Sequence, residues 1–443
     1  MDTIIPGTNL PRIIIIGGGF AGINLVKALK NKPVQVVLFD KNNYQTFQPL
    51  LYQVATGGLE PDSIAFPLRK LFGEQDNFIF RNTEVLKIDT QNSIVETTIG
   101  EVSYDYLVVA TGSVTNFFGL DLEGKAMGMK TVPEALDLRS LILQNFERAT
   151  FELDPHLKSA LMKFVIVGGG PTGVETAGAL SELKRFVLPN DYPELDMRQM
   201  EVHLIEAGSK LLNGMSEKSS ADALEALEKM GVHIWLNTVV KNYDGQHLET
   251  NKNLDFESAT VIWGAGVKGN SIEGIPREMH NRGNRIVVDA FNRIKGLENV
   301  FAMGDVAFMT EDKKYPEGHP QVAAVAMQQG TNLGYNLINL TKGAPLRAFE
   351  YFDKGSMATV GRNKAVVDMP KPAMHFKGFI AWLMWMGLHL VYLAGGRNRL
   401  VTFSNWVWSY FTYDRGARVI IRSFERKKDA KQELLETISG RIN

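Results

Sequence analysis

The chain has 443 residues, 44% apolar and 22% charged, with a formal net charge of −1, a length that exceeds one ordinary core and implies two or three globular domains. Near-neutral charge, with no Lys/Arg block ahead of the C-terminus, argues against a nucleic-acid partner. The absence of cysteine excludes a disulfide framework, a thiolate zinc site and a redox-active dithiol, and the eight His residues show no metal-binding spacing.

Residues 1–10 read as a short unstructured lead. Arg12 followed by Ile13–Ile16 has the outline of a signal peptide. The run is too short, however, and enters a glycine turn rather than a cleavage site, so the fold is expected to begin on the cytoplasmic side. The four isoleucines read instead as a strand buried on both faces. They lead into Gly17-Gly-Gly19-Phe-Ala-Gly22, a G-x-G-x-x-G run, with Ala21 to Leu29 following as a helix. In this pattern Gly17 permits the tight turn, Gly19 lets the backbone approach a pyrophosphate, and Gly22 lets the helix pack on the strand. The N–H groups of the helix start face the phosphates. A second apolar strand, Val34 to Phe39, ends at Asp40, 18 residues past Gly22, placed to accept hydrogen bonds from a ribose.

The stretch Asn43 to Gly57 is rich in aromatic and amide side chains, with Pro49 at a helix start. Phe78 to Val109 reads as a strand followed by an antiparallel excursion. It closes on Tyr106-Leu-Val-Val-Ala-Thr-Gly112, whose small terminal residues let a cofactor approach the backbone. After a connector helix over 132–153 the cycle restarts. Phe164-Val-Ile-Val-Gly168-Gly-Gly170-Pro-Thr-Gly173 repeats the fingerprint 151 residues after the first. Its partner strand, Val202 to Ile205, ends at Glu206, 33 residues past Gly173 rather than the usual ~20; Pro189 and Pro193 mark the longer helix and loop between. A second antiparallel excursion is expected over His233 to Leu254, and Ala259-Thr-Val-Ile-Trp-Gly264-Ala-Gly266 ends it as Ala110-Thr-Gly112 ended the first. This is the repeat of a whole domain.

Asn299 to Asp305 is one more short strand, ending in Gly304-Asp305. Gln321 to Leu340 is a helix carrying Gln328 and Gln329, and Tyr351 to Asp368 reads as two strands around Lys354-Gly355. Phe379 to Ala394 is almost wholly apolar, but its 16 residues fall short of the ~20 that span a bilayer. Leu400, Phe403, Trp406, Val407, Tyr410 and Phe411 share one helical face, and Arg415, Arg418 and Arg422 continue on a basic helical stretch. Trp beside Arg suits a membrane interface; a dimer contact or a core helix is the alternative.

Two dinucleotide sites in one chain imply an electron relay, one cofactor staying bound while the other exchanges. With that inference the residues as a whole resemble the flavoproteins that carry two dinucleotide-binding domains, the pyridine nucleotide-disulphide oxidoreductase-like superfamily. More narrowly they resemble the type II NADH:quinone oxidoreductases, the single-subunit, non-proton-pumping respiratory NADH dehydrogenases. The matching motifs are Asn43-Tyr44 with Phe47 to Gly57, Ala110-Thr-Gly112, Gly168 to Glu175, Gly304-Asp305, Ala326-Met-Gln-Gln329, Asp353 to Arg362 and the Trp-rich tail.

The resemblance implies an α/β fold with two Rossmann-like domains, the second inserted in the first, and a membrane-associating C-terminal region. The expected boundaries are 8–122 and 284–345 for the FAD domain, 123–283 for the NADH domain and 346–443 for the quinone side. FAD contacts are implied at Gly17, Gly19, Phe20, Ala21, Gly22, Asp40, Lys41, Gln48, Val85, Ala110, Thr111, Gly112, Gly304 and Asp305. NADH contacts are implied at Gly168, Gly170, Pro171, Thr172, Gly173, Glu206, Gly264 and Gly266. Glu206 bonds free ribose hydroxyls and repels a 2′-phosphate, and Ala207, Gly208 and Ser209 offer no Arg to receive one, so NADH is favoured over NADPH. Glu175 matches the glutamate beside nicotinamide and flavin; an ordinary first-turn acid is the plain alternative.

Gln328, Gln329 and Lys354 match quinone-side residues, donors suited to a carbonyl gaining negative charge. An amide pair serving the flavin alone is the other reading of the two glutamines. The family commonly places a further Gln where this chain has Ala324; either Gln321 nearby compensates, or this chain contacts its quinone differently. The implied partners are a membrane quinone and the membrane surface, with a homodimer admitted and a peripheral location on the cytoplasmic face of the cell membrane. Missing cysteine excludes disulfide and sulfide:quinone reductases, which work through cysteine sulfur. A soluble reductase of a ferredoxin-like carrier, or a non-catalytic NADH-binding scaffold, are the readings of other classes.

Overall fold

The computed structural model describes residues 5–413 and 416–426. The isoleucine run forms the strand Arg12–Ile16, buried along its whole length, because branched apolar side chains on both faces can be covered only in the middle of a sheet. It is the third strand of a five-stranded parallel sheet in the order Val300–Ala302, Tyr106–Val109, Arg12–Ile16, Gln35–Asp40, Phe78–Asn82. A second parallel sheet runs Val232–Trp235, Glu201–Ile205, Lys163–Val167, Thr260–Trp263. Each sheet carries a three-stranded antiparallel ribbon, at Val85–Ser103 in the first and Val240–Glu257 in the second. The strand Val300–Ala302 returns to the first sheet after the entire second unit. Antiparallel pairing of Ser113–Thr115 with Val267–Gly269 ties the units together.

Close packing replaces side chains with backbone at the fingerprint helices. A Cβ on Gly22 would meet Gly17 O at 1.9 Å, and one on Gly173 would meet Gly168 O at the same distance. The helix Phe20–Ala28 is gripped on its other side by Ala323–Thr341, where a Cβ on Gly330 would lie 2.4 Å from Ala21 O. The connector helix Val132–Phe151 starts with a capping box between Thr131 and Glu134.

The C-terminal region adds an antiparallel sheet, Ser356–Gly361, Lys364–Pro370 and Ala373–Lys377, then two helices, Gly378–Tyr392 and Gly396–Thr412. The sheet packs on the second fingerprint helix, Pro171–Glu182, where a Cβ on Gly178 would meet Val360 O at 2.1 Å. Among the described residues no helix is long and apolar enough to cross a membrane.

Five expectations need correction. Val232–Trp235 pairs parallel with Glu201–Ile205 and belongs to the main sheet, not to the antiparallel ribbon; its short apolar run carries no mark of strand direction. The hairpin turns at Arg362-Asn363, with Asn363 at φ 61°, while Lys354-Gly355 precede the first strand. The lead is not unstructured from Ile5 onward: Ile5 is buried and Pro6 O accepts from Gln35 Nε2 at 2.9 Å. Residues 416–426 are not helical; Arg418 and Arg422 instead reach the carboxylates of Asp191 and Asp137, and Arg415 lies outside the described residues. On Gly396–Thr412 the apolar face divides, because Trp406 turns inward to donate to Gln53 Oε1 at 2.8 Å, leaving Leu400, Phe403, Val407 and Phe411 outward.

A larger side chain at Gly330 has no space to relax into, since backbone lies opposite. Gly330→Val is expected to cost about 1–3 kcal/mol by overpacking, read as a lower thermal midpoint; an unchanged midpoint would mean that the two helices can separate freely.

Candidate functional site

Both fingerprint turns are built the same way. Gly17 and Gly168 hold φ of 108° and 111°, a region open to glycine, and their N–H groups donate to Phe39 O and Ile205 O, each at 2.8 Å. The middle glycine of each turn donates to the acid that ends the next strand: Gly18 N to Asp40 Oδ2 and Gly169 N to Glu206 Oε2, both at 2.6 Å. The second oxygens accept from Asn42 N at 2.7 Å and Gly208 N at 2.6 Å. Burial pushes the Asp40 carboxyl up, against the amides of Asn42 and Gly18. A Cβ on Gly19 or Gly170 would meet nothing within 4 Å, so the helix-start amides look onto open space.

That space is one cavity of about 1770 Å³, lined from both units and from the C-terminal region. From the first unit it takes Gly17, Gly19, Phe20, Ala21, Asp40, Lys41, Gln48, Val85, Ala110, Thr111, Gly112, Gly304 and Asp305. From the second it takes Gly168, Gly170, Pro171, Thr172, Glu175, Glu206 and Gly264. Gly22 and Gly173 stand behind the turns as packing positions, and Gly266 lies under the ring of Phe118. Asp305 accepts from Ser113 Oγ at 2.6 Å, with Lys130 Nζ at 3.9 Å. Thr111 Oγ1 donates to Asn270 O at 2.5 Å.

Glu175 comes from the second fingerprint helix but is enclosed by the C-terminal region. Its Oε1 accepts from Thr359 N at 3.3 Å. Burial pushes the carboxyl up to about 8, with the Thr359 amide and the indole N–H of Trp385 pulling the other way. The indole itself makes no hydrogen bond of normal geometry. Glu175 therefore presents a neutral carboxylic acid at pH 7, able to donate a proton at the cavity wall. It also borders a second cavity of about 100 Å³ walled by Tyr52, Glu182, Trp382, Trp385 and Trp406.

The expected quinone-side residues separate into two groups. Lys354 and Gln321 line the large cavity; Lys354 Nζ donates to Tyr392 Oη at 3.2 Å and Gln321 Nε2 to Asp305 O at 3.1 Å. Gln328 and Gln329 do not line it. The Gln328 amide is spent on the Phe352 peptide, donating to its carbonyl at 2.9 Å and accepting from its N–H at 3.1 Å. Gln329 Oε1 accepts from Gly304 N at 2.7 Å. Ala324, at the position of the missing glutamine, does line the cavity.

Sequence reasoning missed the contribution of Gly378–Tyr392. Leu388, His389 and Tyr392 reach the cavity from that helix. His389 stacks on Trp385 with ring centroids 3.9 Å apart, and burial lowers its pKa to about 4, so it is neutral. A polar ring inside an otherwise apolar run was the available signal.

Residues 11–330 match the family model described as pyridine nucleotide-disulphide oxidoreductase, and residues 354–413 match the NDH2 C-terminal domain. The chain is 37% identical over 428 residues to the type II NADH:quinone oxidoreductase NdhA of Mycobacterium tuberculosis, covering 92% of this chain and 89% of the relative. It is 36% identical over 426 residues to the type II NADH:quinone oxidoreductase Ndh of the same organism, covering 92% and 90%. Among solved structures, NDH2 from Plasmodium falciparum in complex with NADH superimposes with a TM-score of 0.84 at 19% identity, covering 94% of this chain and 100% of that one.

Raising the Glu175 value from an ordinary 4.5 to about 8 means that the folded protein keeps a proton the unfolded chain releases. The associated stability is full below pH 4.5 and is lost as pH rises through 8. Relative to wild type, Glu175→Gln should gain stability across that window, by the order of a few kcal/mol; parallel melting curves for the two proteins at every pH would refute it.

Proposed function

The chain belongs to the type II NADH:quinone oxidoreductases of the pyridine nucleotide-disulphide oxidoreductase family, and we propose how its residues divide the work of oxidising NADH and reducing a quinone without proton pumping. The observation that carries the division is the single cavity shared by both fingerprints and by the C-terminal helix Gly378–Tyr392. FAD fits the first unit, because the open space before Gly19 and the crowding behind Gly17 make a cradle for a pyrophosphate. When bound, FAD supplies the two-electron centre between NADH and quinone.

Residues 8–122 and 284–345 form the FAD unit in this reading. Asp40 holds the adenosine ribose, the amides after Gly17 hold the pyrophosphate, and Asp305, braced by Ser113, holds the ribityl chain. Residues 123–283 take NADH: Gly170, Pro171 and Thr172 at its pyrophosphate and Glu206 at its ribose hydroxyls. Glu175 holds a proton at the wall shared by the two sides. Lys354 directs its ammonium at the quinone oxygen as charge develops there, and Gln321 replaces the donor missing at Ala324. Gln328 and Gln329, which unlike Gln321 do not line the cavity, are assigned to holding the site rather than to touching quinone.

The quinone enters from a lipid surface. Phe379, Ile380, Leu383 and Val391 on one helix and Leu400, Phe403, Val407 and Phe411 on the next are all exposed, an apolar area that a water-soluble carrier's docking face would not present. We assign this face to peripheral attachment at the cytoplasmic side of the cell membrane. Replacing Leu400, Phe403, Val407 and Phe411 by Ser should leave the folded protein in the supernatant when lipid vesicles are sedimented. Co-sedimentation equal to wild type would defeat the assignment.

Half-reactions test the rest. In stopped flow, Lys354→Ala should leave NADH-driven bleaching of the flavin nearly intact and slow reoxidation by a short-chain quinone ~10²–10³-fold, the loss seen for oxyanion-type donors. Slowing confined to the reduction by NADH would reverse the assignment of sides.

A further inference from the structure

We propose that the buried pair Asp312–His319, together with Gln328, positions Lys354 for the quinone half-reaction. The inference rests on the assignment of Lys354 to the quinone. Lys354 stands in a segment with no strand ladder to hold it, since the sheet begins only at Ser356. Two consecutive peptides before it are nevertheless pinned. Asp312 Oδ2 accepts from Tyr351 N at 2.9 Å and from His319 Nε2 at 3.0 Å, while Oδ1 accepts from Lys314 N at 3.0 Å. The next peptide, Phe352, is held at both its N–H and its carbonyl by the Gln328 amide. Asp353 then closes a turn on Gly355 N at 2.9 Å, with Gly355 at φ 97°. The Lys354 stem departs from this pinned backbone toward Tyr392.

The anchor is buried and closely packed. The side chains of His319 and Asp312 are 1% and 2% exposed, and the imidazole is boxed by Tyr315, Phe349 and Tyr351, with ring centroids 5.3, 5.3 and 6.1 Å away. Arg285 Nη2 donates to His319 O at 3.2 Å. Burial opposes ionisation of Asp312, but the three donors outweigh it and hold the carboxyl below the usual range. A buried anion is costly unless fully bonded, and apolar packing could fill the same space. What a carboxylate adds is the capacity to accept several N–H groups at once and so to fix a neighbouring backbone. Tyr315 and Tyr351 line the same cavity as Lys354, so a shift of the anchor is a shift of the cavity wall.

The test uses the full-length, FAD-loaded protein with Asp312→Asn and Gln328→Leu, each alone and combined with Lys354→Ala. Each single variant should bleach with NADH at the wild-type rate. Each should be reoxidised by a short-chain quinone about tenfold more slowly, as a misplaced group of this kind predicts. Calorimetric affinity for a non-reducible quinone analogue should fall in parallel. In the Lys354→Ala background neither substitution should slow reoxidation further. Wild-type reoxidation and affinity in the folded variants, or slowing that multiplies with Lys354→Ala, overturns the proposal. Should Asp312→Asn fail to fold, Gln328→Leu decides alone. If Lys354→Ala itself reoxidises normally, the assignment of Lys354 falls and the inference falls with it. If Lys354→Ala is slow while the other two variants are normal, the inference alone fails.

Discussion

A carboxylate at the end of a buried strand holds the amide of the middle glycine in each fingerprint turn, Asp40 on Gly18 and Glu206 on Gly169, both at 2.6 Å. A hydrogen bond to a charged group contributes about 1.5–3 kcal/mol, close to the cost of ordering one or two residues of backbone. It therefore cannot hold a turn by itself. The remainder comes from packing: the helices approach so closely at Gly22 and Gly173 that any side chain there would strike the turn carbonyl. Carboxylate and close approach together aim the amides after each turn into open space, and the Ser113–Thr115 pairing with Val267–Gly269 makes that space common to both units.

The third wall of the cavity belongs to neither unit. The C-terminal sheet lies against the second fingerprint helix at Gly178, and its Thr359 amide, with Trp385 from the following helix, seals Glu175 from water. An acid carried by the second fingerprint helix is thus desolvated by elements of the C-terminal region, so its protonation depends on both. The helix Gly378–Tyr392 has two apolar environments to satisfy. It sends Leu388, His389 and Tyr392 to the cavity and leaves Phe379, Ile380 and Val391 outside. Apolar side chains therefore run all round this helix, on the covered side and on the exposed one, and among the described residues it is not long and apolar enough to cross a membrane.

Much of this was legible in the residue order. The isoleucine run, both glycine fingerprints, their terminal acids and the small residues at Ala110–Gly112 and Gly264–Gly266 are local patterns. Each depends on the geometry of a single strand–turn–helix unit, and so the two parallel sheets and most of the residues that line the shared cavity from the two fingerprint units could be read directly. The lack of cysteine excluded whole classes of chemistry in the same direct way. Strand direction was not legible at Val232–Trp235, because a short apolar run looks the same whichever neighbour it pairs with.

Side-chain occupancy was legible only in part. Gln328 and Gln329 have the right chemistry for a quinone carbonyl, yet amides take whatever partner lies within reach, and here these are the Phe352 backbone for half-buried Gln328 and Gly304 N for buried Gln329. Arg418 and Arg422 looked like a basic helical face until Asp191 and Asp137, 227 and 285 residues away in the chain, supplied carboxylates. Composition and spacing by themselves determined that two dinucleotide platforms stand in one chain beside an apolar tail. Only the tertiary structure decided which donors face the cavity and which are consumed in building it, because that choice depends on contacts between residues hundreds of positions apart that no local period records.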